Sequence, residues 1–270
     1  MKKERLDKVL TDLGYFETKS KAAAAILAGD VLVNGEKITK SGYQIDLNKK
    51  YEYEIHSMPF VSRGGLKLQR ALDVFDIDVK DRICFDAGAS TGGFTDCLLS
   101  YGAKFVYAVD VGYGQIAWKL RVDERVKNIE KTNLKICEFN DIYSDTDRIA
   151  NLLVSDLSFI SLKKVLPNLV KLLDENFNEM ICLIKPQFEA GKELIEKGGV
   201  VRNPKTHIEI LEDIVTFIRD MNYSIKGLTH SPIKGPAGNI EYLVHCSSEK
   251  FEFGFNINDI VNNAFSSLNE

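Results

Sequence analysis

One stretch limits the possible folds of this chain more than any other: Asp86-Ala-Gly-Ala-Ser-Thr-Gly-Gly-Phe-Thr95, with Asp110 closing the next apolar run. Arg82-Ile-Cys-Phe-Asp86 reads as a buried strand, the glycines as a turn, and Phe94-Thr-Asp-Cys-Leu-Leu99 as the start of a helix. The second strand, Phe105-Val-Tyr-Ala-Val109, delivers its acid 22 positions after Gly88. Strand, glycine turn, helix and a strand ending in an acid make a nucleoside-binding crevice. The glycines let backbone approach the ligand, and the carboxylate accepts hydrogen bonds from ribose hydroxyls. The order Gly88-x-x-x-Gly92-Gly93 misses the G-x-G-x-x-G spacing of dinucleotide sites. Asp86 at the head of the turn repels a pyrophosphate and suits an amine-bearing cation. S-adenosyl-L-methionine, with its ammonium and sulfonium, therefore fits better than NAD.

The rest of the chain supports an α/β assignment. From Leu66 the pattern predicts helix 66–75, strand 82–86, helix 91–100, strand 104–109, helix 114–121 and strand 126–130. It continues with strand 151–155, helix 162–173, strand 179–185, helix 205–220 and strands near 223–230 and 240–247. Such alternation gives a mostly parallel sheet covered on both faces. Ser231-Pro-Ile-Lys-Gly-Pro-Ala-Gly238 is too short for a helical crossover, so the last two strands pair antiparallel at one edge. Asn256–Leu268 reads as a terminal helix.

Residues 1–57 read as a separate small module. Apolar positions 6, 9, 10 and 13 form one helical face before Gly14, and Thr18–Ala28 is a second helix with a polar start. Val31-Leu-Val-Asn-Gly-Glu36 enters an Asn-Gly hairpin turn, and Tyr51-Glu-Tyr-Glu-Ile55 alternates as a half-exposed strand does. So small a unit suits binding better than catalysis. Pro59 and Gly64-Gly65 mark a linker over 58–65, and residues 66–270 form the second domain.

Charge and cysteine content narrow the function. The net charge of −4 argues against indiscriminate nucleic-acid binding, so any RNA recognition must rest on placement and shape. Residues 1–60 carry ten Lys/Arg against nine Asp/Glu, which leaves the rest about five units negative. No apolar run reaches membrane-spanning length, and Met1-Lys-Lys-Glu-Arg-Leu-Asp lacks the apolar core of a signal peptide. The five cysteines are odd in number and widely spaced, and Cys84, Cys182 and Cys246 sit in apolar runs. They read as core residues in a reducing, cytoplasmic setting, and with four scattered histidines they suggest no metal site.

Ligands of open α/β sheets lie beyond the carboxyl ends of the strands. Asp156-Leu-Ser-Phe follows one strand and Lys185-Pro-Gln-Phe-Glu another, Lys67 precedes the first strand, and Glu241 opens the edge strand. Two lysines and two carboxylates could converge there. A ribose hydroxyl needs a general base, and a lysine serves as one when burial and a neighbouring cation disfavour its charged form. The same spacing also describes two ordinary ion pairs. Tyr113, Trp118 and Phe159 could stack on a base, though aromatics so placed usually pack a core. Lys163-Lys164 and Gln187 read as solvated, and Phe188 as packing.

These residues resemble the TlyA (haemolysin A-like) family of FtsJ-like ribose 2′-O-methyltransferases. The matching stretches are Val61-Ser-Arg-Gly-Gly-Leu-Lys-Leu68, Asp86 to Thr95, Val109-Asp-Val-Gly-Tyr-Gly-Gln115, Val154-Ser-Asp-Leu-Ser-Phe-Ile160, Ile184-Lys-Pro-Gln-Phe-Glu-Ala-Gly191, Gly198-Gly-Val-Val-Arg202 and Gly235-Pro-Ala-Gly-Asn-Ile-Glu-Tyr242. Residues 3–60 resemble the S-four-type RNA-binding domain, with Lys21 where an arginine is common. The resemblance implies a Rossmann-like class I S-adenosylmethionine-dependent fold and a Lys67-Asp156-Lys185-Glu241 tetrad, with Lys185 as base and Lys67 as its modulator. It implies that Asp86, Gly88, Ser90, Gly92, Gly93 and Phe94 hold the methionine part of the cofactor, Asp110 its ribose, and Glu130-Lys-Thr-Asn133 a place near its adenine. Arg5, Lys19, Lys21 and Arg63 are the candidate RNA contacts. The implied reaction is methylation of a cytidine ribose in rRNA, on ribosomal subunits or the ribosome. Two other readings are a membrane-active haemolysin, for which no segment here is suited, and a non-catalytic RNA-binding assembly factor, which has no need of the tetrad.

Overall fold

The computed structural model divides the chain into two units, Met1–Pro59 and Phe60–Glu270. It describes residues 3–55, 58–251 and 254–268, with the side chain of Ala28 excepted; the chain start at Met1-Lys2 and the expected module end at Ser57 lie outside these residues.

The first unit runs β1 (Lys3–Arg5), α1 (Leu6–Asp12), α2 (Lys19–Ala28), β2 (Val31–Val33), β3 (Glu36–Lys37), β4 (Gln44–Asp46) and β5 (Tyr53–Ile55). Thr18 caps α2 by accepting the Lys21 amide, and Gly29 ends it in the left-handed region at φ 79°. The Asn34-Gly35 turn joins β2 to β3, and β2 also pairs with β5, giving the order β3-β2-β5. The β1–β4 ribbon was not legible in the sequence, because three residues carry no measurable alternation. Leu6, Leu10, Ile26, Val31 and Ile45 make a core of their own.

The second unit opens with α3 (Gly64–Phe75), β6 (Ile83–Ala87), α4 (Gly93–Ser100), β7 (Phe105–Val109), α5 (Trp118–Arg121), β8 (Val126–Ile129), α6 (Phe139–Ile142) and β9 (Leu152–Ser155). It continues with α7 (Leu166–Leu169), β10 (Glu179–Ile184), α8 (Pro186–Glu189), α9 (Pro204–Asp220), β11 (Ser224–His230), β12 (Tyr242–Ser247) and α10 (Ile257–Leu268). Seven strands form one sheet in the order β11-β12-β10-β9-β6-β7-β8. β8, β7, β6, β9 and β10 are parallel, while β12 runs antiparallel to both β10 and β11. The strands bury side chains alternately on two faces: Phe85 and Ala87 of β6 join the core under α7, α9 and α10, whereas Cys84 joins the core under α3 and α4.

Three expectations needed correction. The segment 58–65 is not a free linker: Phe60 is buried, the Val61 amide donates to Asp96 Oδ2 at 2.7 Å, and Gly64 already begins α3. The helix expected over 114–121 shrinks to α5. Gly114 takes φ 69°, Ala117 donates its amide to Thr91 O at 3.1 Å, and the Gln115 side chain reaches Ser90, so the first half is a loop. The helix expected over 162–173 is one turn of α7 between two 3-10 turns, Leu162–Lys164 and Val170–Leu172. Pro167 has no amide to donate and disfavours helical geometry in the residue before it.

Candidate functional site

Four elements bring charge to one place at the carboxyl edge of the sheet. On α3, Leu68, Ala71 and Leu72 form the buried stripe, and Lys67 shares it, so packing turns this lysine toward the sheet. Asp156 follows β9, Lys185 follows β10 and Glu241 precedes β12. Lys67 Nζ lies 2.6 Å from Glu241 Oε2 and 3.6 Å from Asp156 Oδ2. Lys185 Nζ lies 2.6 Å from Asp156 Oδ1 and donates to Ser158 Oγ at 2.8 Å. Lys67, Lys185 and Glu241 are buried, and a fifth of the Asp156 side chain is accessible. One carboxylate thus lies between two lysines, and a second anchors the lysine on the far side. Gly235 allows this: a Cβ there would fall 2.4 Å from Glu241 Oε1.

Two adjoining lobes form the cleft, sharing Gly88, Ser90, Asp156 and Ser158. The first, about 310 Å³, contains Lys67, Asp156 and Lys185, with Ser62, Arg63, Phe94 and Lys234 around them. The second, about 480 Å³, is lined by Asp110, Gln115, Asn133, Leu134, Ile160 and Val165 among others. Gly88 makes their junction possible: it sits at φ 86°, and a Cβ would stand 3.0 Å from the Asp156 carbonyl. Asp110 Oδ2 accepts the Ser90 amide at 2.8 Å and Oδ1 the Gly112 amide at 2.6 Å, which fixes the carboxylate at the floor of the larger lobe.

Most expected residues meet here, but some do not. Gly88, Ser90, Gly93 and Phe94 line the cleft, as do Asp110 and Asn133. Asp86 corrects the expectation that it faces a ligand amine. It is fully buried, lines neither lobe, and accepts the Thr95 hydroxyl at 2.6 Å through Oδ2 while Oδ1 has no hydrogen-bond partner. Burial pushes its carboxyl up to about 7. Gly92 lines neither lobe; it sits at φ 92°, where a Cβ would fall 2.3 Å from Leu120. Arg63 lines the lobe of the lysines, a cation at the mouth of the cleft. In the first unit Lys19 is exposed, Lys21 pairs with Glu17, and the Arg5 guanidinium grips Asp7 through two bonds of 3.1 and 2.5 Å.

The sequence missed Ser62, Ser158 and Lys234. Ser158 could have been found, two residues beyond Asp156 on the same loop. Lys234 gave no signal, because only the pairing of β11 with β12 folds its loop over the cleft. The aromatics also overturned expectation: Tyr113, Trp118 and Phe159 are exposed, Phe159 to 91%. Phe159 lines the larger lobe in the left-handed region at φ 64° and packs on Phe188 with ring centroids 5.1 Å apart.

The larger lobe fits an adenosine-bearing ligand: a fixed carboxylate for ribose hydroxyls, apolar walls for a base, and a turn whose Gly88 admits close approach. Together with the sheet order and the adjoining quartet, this defines a Rossmann-like methyltransferase. Residues 60–247 match the model of the FtsJ-like methyltransferases, and residues 4–49 that of the S4 domain. The chain belongs to the FtsJ-like methyltransferase family and carries an S4 domain ahead of it. It is 46% identical to "Hemolysin A" of Brachyspira hyodysenteriae over 89% of this chain and 98% of that one. It is 39% identical to the "16S/23S rRNA (cytidine-2'-O)-methyltransferase TlyA" of Mycobacterium tuberculosis over 90% of this chain and 89% of that one. A solved structure titled "Putative hemolysin from Streptococcus thermophilus" superposes with a TM-score of 0.77 at 42% identity, covering 100% of this chain and 98% of the other.

Proposed function

We propose that this protein methylates the 2′-oxygen of a cytidine ribose in rRNA, using S-adenosyl-L-methionine, with ribosomal subunits or the ribosome as substrate and the cytoplasm as its place of work. The observation that carries the reading is the convergence of Lys67, Asp156, Lys185 and Glu241 in a lobe directly beside a nucleoside-sized one. In this reading Asp110 holds the cofactor ribose, Asn133 and the apolar wall flank its adenine, and the turn at Gly88–Ser90 with Phe94 holds its methionine part. The bound cofactor supplies an electrophilic sulfonium methyl.

The chain's own groups supply the rest. Lys185 would accept the proton of the 2′-hydroxyl whose oxygen is to receive the methyl group. Ser158 and Asp156 aim its Nζ, and Lys67, anchored by Glu241, keeps Asp156 in place from the other side. Holding the hydroxyl in line with the methyl supplies much of the rate. The Arg63 side chain suits a phosphate beside the target, and the exposed face of Phe159 suits an unstacked base. The S4 domain supplies an RNA-binding unit in the same chain as the catalytic one. The relative that names this rRNA chemistry, and the family match over 60–247, support the assignment.

The test is transfer of labelled methyl from S-adenosyl-L-methionine to purified unmethylated small and large subunits, with the modified nucleotide mapped. Label on a cytidine 2′-oxygen is expected. Cofactor binding without label on either subunit or on whole ribosomes would turn the reading to a binding factor.

A further inference from the structure

The loop Asp156–Ser161 carries much of the cleft: Asp156 and Ser158 contact Lys185, and Phe159 stands at the rim. Its geometry is costly. A phenylalanine at φ 64° is held in a conformation that β-carbon-bearing residues avoid, and such strain persists only where the surroundings over-determine it. Lys185 ties the front of the loop. Something must tie the back.

Glu189 does so. It ends α8, four residues after Lys185, and its carboxylate reaches across to the far end of the loop. Oε2 accepts the Ser161 hydroxyl at 2.6 Å, and Oε1 accepts the Leu162 amide at 2.8 Å. Ser161 in turn caps the 3-10 turn by accepting the Lys163 amide at 3.2 Å. Phe188, the residue before Glu189, packs on Phe159 between the two ties. Lys163 and Asp213, the charged groups nearest Glu189, pair with each other. Glu189 therefore spends both oxygens on the loop.

We infer that Glu189 is a positioning residue for methyl transfer: it latches the Ser161–Leu162 end of the loop so that Ser158 meets Lys185 and Phe159 is presented at the cleft. This rests on the methyl-transfer reading, but the latch itself is a property of the free protein. Glu189 touches neither lobe, so it acts through the loop and not on substrate.

The test compares Glu189→Ala, Glu189→Gln, Ser161→Ala and the Ser161→Ala/Glu189→Ala double variant of the full chain. Hydrogen exchange on the free protein should show faster exchange at 157–162 in Glu189→Ala, with β6 and β9 unchanged. Methyl transfer at saturating RNA and cofactor should fall about 10- to 100-fold, the scale of an ångström of misplacement. Glu189→Gln should recover to within about threefold of the parent, since an amide can accept from Leu162 and donate to Ser161. The double variant should be no worse than Glu189→Ala alone, since the two side chains act as one unit. Unchanged exchange in Glu189→Ala, failure of the glutamine to rescue, or independent additive losses would each overturn the latch. If the parent itself transfers no methyl while the exchange pattern holds, the functional reading fails and the latch stands.

Discussion

The same four strands carry a buried charge cluster at each end, and the two clusters are built to opposite rules. At the amino edge, Arg82 precedes β6, Asn151 precedes β9, Glu179 opens β10, and His245 sits on β12. Arg82 donates to Asn151 Oδ1 at 3.1 Å, to Asn151 O at 2.6 Å and to Glu179 Oε2 at 2.5 Å. His245 lies 3.1 Å from Glu179 Oε1 and stacks on Phe75. Both carboxylate oxygens are hydrogen-bonded. At the carboxyl edge, Asp86 lies within β6, Asp156 and Lys185 follow β9 and β10, and Glu241 precedes β12, and the buried Asp86 Oδ1 and Glu241 Oε1 have no hydrogen-bond partner among the described residues. A buried ion pair is tolerated when its remaining bonds are satisfied. The amino-edge cluster meets that condition and holds the sheet together. The carboxyl-edge cluster leaves it unmet, which agrees with the reactive role proposed for it.

The sharpest way to break this contrast is to delete one charge from each end. Lys185→Ala should lower methyl transfer by on the order of 10³-fold, while melting temperature and RNA affinity stay near those of the parent. Retained activity, measured by label incorporation, would make the carboxyl-edge cluster as structural as the other. Glu179→Gln should do the reverse. It strands a buried guanidinium, so denaturant unfolding should show a loss of about 3–5 kcal/mol, with the rate per folded molecule unchanged.

Acid titration sharpens the same point. His245 and Arg82 hold the Glu179 carboxyl at about 2, below its ordinary 4.5, against the opposing effect of burial. A depressed carboxylate contributes stability that is present above the ordinary value and disappears as pH falls toward 2, about 3 kcal/mol here. Glu179→Gln should flatten that acid limb. The opposite sign belongs to Asp86, whose carboxyl is raised to about 7. The folded protein then holds a proton that the unfolded chain has released, so stability declines as pH rises from about 4 to about 7. Asp86→Asn should melt higher than the parent at pH 8, with the gap closing by pH 4. Equal melting at pH 8 would show that Asp86 is not held protonated by burial.

Periodicity and turn chemistry located nearly every strand and long helix. These are local properties: apolar runs over β6 and β7, the stripe on α3, and glycines at Gly88 and Gly92 that only a left-handed backbone needs. The failures were local too. Pro167 broke one helix, and Gln115, turned toward Ser90, shortened another before its pattern was complete. The quartet was half legible. Each member could be seen at a strand or helix end, but nothing in the spacing told a reactive cluster from two ion pairs. The amino-edge cluster, spread over the same strands, went unseen.

The sequence by itself determined the strand-turn-helix unit, the acid that closes the second strand, and a separate small module ahead of them, because backbone conformation and face-by-face burial are written in adjacent residues. Only the tertiary structure decided which charges share a cleft. Strand order places β10 beside β12 and β9, so Lys185, Glu241 and Asp156 meet although 56 positions separate the first two. The same packing withdrew Asp86 behind its own turn and brought Glu189 to the loop. Distances between side chains depend on which strands are neighbours, and that choice is made by the core as a whole.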